Sequence, residues 1–62
     1  MIILTSLNGK STFAINYDRV ETVESAPDTV ISLESGRKYF VKESFDEVID
    51  AINKAKRKLH DV

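Results

Sequence analysis

The 62-residue sequence has no cysteine and no tryptophan, and it has only one proline and one histidine. Without cysteine there is no disulfide, no thiol nucleophile and no zinc site of the cysteine type. His60 has no second histidine with which to form a metal pair, and at the end of a helix it reads as a solvated group. No run approaches the ~20 apolar residues of a membrane span. The start, MIILTSLNG, lacks the basic segment and long apolar stretch of a secretory signal. These absences predict a soluble, cytoplasmic protein. An excess of charge of one sign is also missing, since 9 basic and 10 acidic residues give a formal charge of −1. Phosphate contacts need a basic surplus, so the balance argues against a nucleic-acid binder. At this length the chain reads as a single domain, residues 1–62. A core of that size seldom supplies more than about 3–5 kcal/mol of net stability unaided. With disulfides excluded, a homo-oligomer or a larger partner is the expected source of further support.

What is present is mostly strand-forming. Residues 2–7 are β-branched and apolar, Asn8-Gly9 follows, and residues 11–15 alternate again. An Asn-Gly pair between two such runs predicts a hairpin with a type I′ turn, in which both central residues take positive φ. A third strand is expected over 20–25, where Val20 and Val23 are three apart and cannot share a face without a bulge or a late start. Pro27-Asp28 predicts a turn, with proline at the first corner and aspartate bonding its own backbone. Residues 29–34 and 37–42 form the fourth and fifth strands around a tight turn at Ser35-Gly36.

The period then becomes helical. Phe45, Val48, Ile49, Ile52, Ala55 and Leu59 make one apolar stripe over residues 45–60. Ser44 and Glu47 have the spacing of a capping box, and acidic residues precede basic ones as the helix dipole favours. The predicted fold is α+β: a five-stranded antiparallel meander, curled or closed into a small barrel, with one C-terminal helix. Several strands carry bulky apolar residues on both faces, such as Ile3 between Ile2 and Leu4, and Phe40 between Tyr39 and Val41. One helix covers part of one face, so curling or another chain must bury the rest.

Few residues invite a chemical reading. The letters Gly9-Lys10-Ser11 end a phosphate-binding loop, but Leu4 stands where that motif needs glycine, and a strand follows where it needs a helix. Glu43, Asp46, Glu47 and Asp50 resemble a cation site by letters and a negative first helical turn by position. Ser44 has no neighbouring base and reads as a cap. Lys54, Lys56, Arg57 and Lys58 form the one local charge concentration. They suit a solvated helix end or a contact with an acidic protein segment, an anionic lipid surface or RNA.

MIILTSLNG at the start, ETVESAPDTVISLESGRKYFVKES in the middle and the apolar-plus-basic helix together resemble the FlbD/SwrD family of small bacterial flagellar proteins. The likeness spans nearly the whole chain. Its matching positions are Asn8, Gly9, Pro27, Asp28, Thr29, Gly36, Val41, Glu43 and Ser44, while Ser35 replaces the asparagine expected before Gly36. The resemblance implies a cytoplasmic, non-enzymatic protein that supports flagellar motility and swarming without a cofactor. It implies a gain in motor power through the stator complex, with motor and stator proteins as partners at the inner face of the membrane. It carries no catalytic residues. The chain is also similar in size and element order to the CsrA family of RNA-binding translational regulators, which form strand-swapped dimers and use basic residues near the first and last strands. Ser6 stands where that family has arginine and the region before the helix, VKESFDE, differs, so RNA binding is the weaker reading.

Overall fold

The computed structural model describes residues 1–60, with side chains through Arg57. The elements follow the expected order: β1 (Ile2–Thr5), β2 (Thr12–Ile15), a 3₁₀ turn (Tyr17–Arg19), β3 (Val20–Ser25), β4 (Thr29–Leu33), β5 (Lys38–Val41) and α1 (Phe45–His60). The fold is α+β, with five strands in two antiparallel sheets, β1-β2 and β3-β4-β5. They do not close into a barrel.

A simple meander would pair β2 with β3. Instead the chain leaves β2 through Asn16, whose side chain accepts the Asp18 N–H at 3.0 Å and starts the 3₁₀ turn. The sheets are joined elsewhere, between the first and last strands. Ser6 bridges to Val41. The Lys42 N–H donates to the Thr5 carbonyl at 3.0 Å, and the Leu7 N–H donates to the Phe40 carbonyl at 3.1 Å. The hydrogen-bonded order is therefore β2-β1-β5-β4-β3, an open curled sheet with β2 and β3 at its edges.

Alternation places Ile2, Leu4, Ile15, Ile31 and Val41 inward, where they meet Tyr17 and Val48 in one core. Each such side chain contributes about 1.5–3 kcal/mol on burial. The Phe13 and Tyr39 rings pack at 5.2 Å between centroids, across the join of the two sheets. The spacing of Val20 and Val23 is resolved by a bulge. Val20 pairs with Leu33 and Thr22 with Ser32, so Glu21 is the extra residue and both valines turn toward the core.

The turns depart from expectation in detail. Among the described residues neither Asn8 nor any other non-glycine residue has positive φ, whereas Gly9 (76°) and Gly36 (94°) do. The first hairpin is thus not a two-residue type I′ turn. Its Gly9 N–H donates to the Ser6 carbonyl at 2.8 Å. Asn8 works through its side chain, whose Oδ1 accepts from the Ser6 hydroxyl at 2.7 Å and the Lys10 N–H at 2.9 Å. The wider loop frees Ser6 and Leu7 to reach β5. The β4–β5 hairpin repeats the device, with the Gly36 N–H donating to the Leu33 carbonyl at 2.9 Å. At Pro27 the Ala26–Pro27 peptide is cis. The turn's hydrogen bond runs from the Ala26 N–H to the Asp28 backbone carbonyl at 3.3 Å.

The capping box forms as its spacing predicts. The Glu47 N–H donates to Ser44 Oγ at 3.2 Å and the Ser44 N–H to Glu47 Oε1 at 3.3 Å. Val48 is fully buried and Ala51, Ile52 and Ala55 pack beside it, which seats α1 on β1 and β3. Phe45 stays partly exposed. Leu59 and His60 lie outside the described side chains.

Glu43, directly before the cap, ties the first strand to the end of the last by accepting the Thr5 N–H at 2.9 Å. Burial alone would raise its pKa. Hydrogen bonds from the Thr5 N–H, its own N–H and the Thr5 hydroxyl, with Lys42 nearby, outweigh burial and hold it below the ordinary value of 4.5. A depressed folded-state pKa means the stabilisation is complete above 4.5 and is lost as pH falls through the lower folded value. Glu43→Ala should cost about 1–3 kcal/mol at pH 7 by leaving the Thr5 N–H unpaired. Urea titration should show that cost shrinking in acid, and a cost unchanged between neutral and acidic pH would refute the assignment. A Cβ at Gly36 meets nothing within 4 Å, so Gly36→Ala should destabilise by backbone strain alone, about 1–2 kcal/mol. Gly36→Asn should cost less, and equal midpoints for the two variants would contradict this.

Candidate functional site

Three of the four carboxylates that resembled a cation site are engaged separately, Asp46 being the exception. Glu43 holds the Thr5 N–H, Glu47 completes the Ser44 cap, and Asp50 pairs with Lys54 at 3.0 Å. No group of three or more His, Asp or Glu side chains converges among the described residues. Lys10 and Ser11 lie in the loop before β2 rather than at a helix N-terminus, so the geometry of a phosphate-binding loop is absent there. Asn8, Gly9, Pro27, Asp28 and Gly36 all sit in the turns between strands.

The basic helix end is not one patch. At 3.6 residues per turn, Lys54 and Lys56 flank the buried stripe on opposite sides and Arg57 points away from it. Lys56 and Arg57 are exposed. The Asp50–Lys54 pair is itself exposed, with side chains 56% and 68% accessible, and such pairs contribute little. Lys54 is therefore readily available to a stronger acidic partner. The Lys58 side chain lies outside those described.

Two features escape a reading of the sequence by elements. The first is a groove of about 270 Å³ between the start of β1 and the second half of α1, lined by Met1, Ile2, Ile3, Ala51, Lys54 and Ala55. Met1 and Ile3 are 75% and 69% exposed, so the groove has apolar walls with Lys54 on its rim. Small side chains at Ala51 and Ala55 leave the hollow. The second is the outer sheet surface, where Leu7 and Phe40 face each other across the β1–β5 join, each about half exposed. The apolar residues on both faces of β1 and β5 were the signal for these surfaces. Curling buries one face and leaves Ile3 and Phe40 uncovered. A further hollow of about 450 Å³ beside Leu33 is bordered by the exposed Arg19–Glu34 pair at 3.9 Å.

No helix among the described residues is long and apolar enough to cross a membrane. Two comparisons, with curated proteins and with solved structures, return no match. The family model described as "FlbD: Flagellar and Swarming motility proteins" matches residues 1–60. That match takes in all three hairpins, the bulged β3 and the capped helix, and the chain belongs to the FlbD family of flagellar and swarming motility proteins.

Proposed function

We propose that this chain serves flagellar and swarming motility as a non-enzymatic protein on the cytoplasmic side, raising motor power through the stator complex. The family match over residues 1–60 carries the motility role. The site supports a binding rather than a catalytic reading. Glu43, Glu47 and Asp50 are engaged in a strap, a cap and a surface pair, while its accessible features are an apolar groove and a basic helix end. In this reading an acidic, partly apolar segment of a motor protein places its apolar side chain in the groove beside Lys54. Lys56, Arg57 and Lys58 then add attraction that steers the approach.

Deletion of the gene should leave filament number unchanged while torque per motor falls. Unaltered torque, or loss of the filaments themselves, would overturn the motor reading. Lys54→Glu with Arg57→Glu should reduce swarming severalfold while the circular-dichroism spectrum and unfolding midpoint stay close to wild type. Full swarming by a folded double variant would remove the basic helix end from the contact. Sequence-selective RNA binding in a mobility-shift assay would replace the proposal with a regulatory one.

A further inference from the structure

The two free edges of the curled sheet are built differently. β3 is guarded in the ways that edge strands are usually guarded: a bulge at Glu21, a second charge at Glu24 and Pro27 just beyond it. The β2 edge has none of these. Residues 11–16, STFAIN, contain no charge and no proline, and the β1–β2 register runs unbroken from Ile2–Ile15 to Thr5–Thr12.

The register also shows where the backbone groups of β2 point. Hydrogen-bonded and non-hydrogen-bonded pairs alternate along an antiparallel ladder. The Ser6 N–H donates to the Ser11 carbonyl at 2.9 Å, which marks that pair as a bonded one. Counting along the ladder, Leu4–Phe13 and Ile2–Ile15 are bonded pairs, while Thr5–Thr12 and Ile3–Ala14 are not. Thr12 and Ala14 therefore aim their N–H and C=O groups away from β1 and out of the sheet. Thr5 checks the count independently. Its N–H and carbonyl reach Glu43 and Lys42 on the far side of β1, as a non-bonded position requires. Thr12 and Ala14 are also exposed, so their outward backbone groups form a short, uncharged, unguarded template for another strand.

We propose that this edge pairs with the same edge of a second copy, β2 against β2, antiparallel about a two-fold axis. An antiparallel strand pair is self-complementary under that symmetry, and an uncharged strand meets no repulsion from its copy. The surface beside the edge fits the same partner. Ile3 lies opposite Ala14 on the outer face, so two copies would continue the exposed Ile3–Ala14 row into a shared apolar strip. The strand is only four residues long, and the buried area falls below that of a standard interface. The dimer is accordingly a reversible one that forms when copies are held close together. This pairing is independent of the stator reading.

The test uses the whole chain in sedimentation equilibrium over a wide concentration range. Mass should rise from the 7.0 kDa monomer toward twice that value. Ala14→Pro removes an outward N–H and no rung of the β1–β2 ladder, which makes it tolerable at an edge. It should weaken the dimer at least tenfold while the circular-dichroism spectrum stays native. Thr12→Lys, which puts a charge on the edge without touching the backbone, should do the same and serves if the proline variant does not fold. Amide exchange gives a residue-level readout. Thr12 and Ala14 should gain protection with concentration, whereas Phe13 and Ile15 are protected throughout. A chain that stays monomeric, including one that leaves this edge to an extended peptide of another protein, overturns the proposal. A dimer indifferent to both substitutions does so equally.

Discussion

The join between β1 and β5 is the constraint on which the rest of the structure depends. Three backbone donors make it: Lys42 to the Thr5 carbonyl, Leu7 to the Phe40 carbonyl, and Thr5 to the Glu43 carboxylate. Without it the molecule would be a two-stranded hairpin and a three-stranded sheet, and an isolated hairpin is marginal in water. With it, Leu4 and Val41 share one core, and α1 begins directly after Glu43 and Ser44, just beyond the last strand. The groove beside Met1 and Ile3 follows from the same join, because it fixes β1 against α1.

Local features were legible in the sequence because local chemistry decides them. The Ser44–Glu47 box, the helical stripe and the alternation in β4 each involve neighbours a few residues apart; the box and the alternation form as their spacing dictates, and the stripe does so at Val48, Ile52 and Ala55. The separation of Val20 and Val23 left only two readings, and the Glu21 bulge is one of them. What the sequence could not show was how the sheets meet, since that depends on pairing residues 38 positions apart. The type I′ turn failed for a related reason. Asn-Gly favours that turn when two strands simply fold back on each other. Here Ser6 and Leu7 must continue toward β5, so the loop widens and Asn8 contributes its side-chain oxygen instead of a positive φ.

The surface was only half legible. Apolar residues on both faces of β1 and β5 signalled that something beyond α1 must cover them, and the groove and the Leu7–Phe40 surface are where that demand remains. The basic run read as one patch in letters, yet helical geometry spreads Lys54, Lys56 and Arg57 over three directions. The groove, the Leu7–Phe40 surface and the exposed end of α1 are the parts of the molecule left open to contact.

The strap from Thr5 to Glu43 also says something about how the chain is made. Ribosomes deliver the N-terminus first, yet β1 finds its lasting neighbour only when residues 40–43 have emerged. Until then Ile3 and Leu4 have β2 alone for company, and long-range pairings of this kind form slowly. Until those residues are available the first hairpin has an unpaired edge on its β5 side, and the β1–β5 join can form only after them.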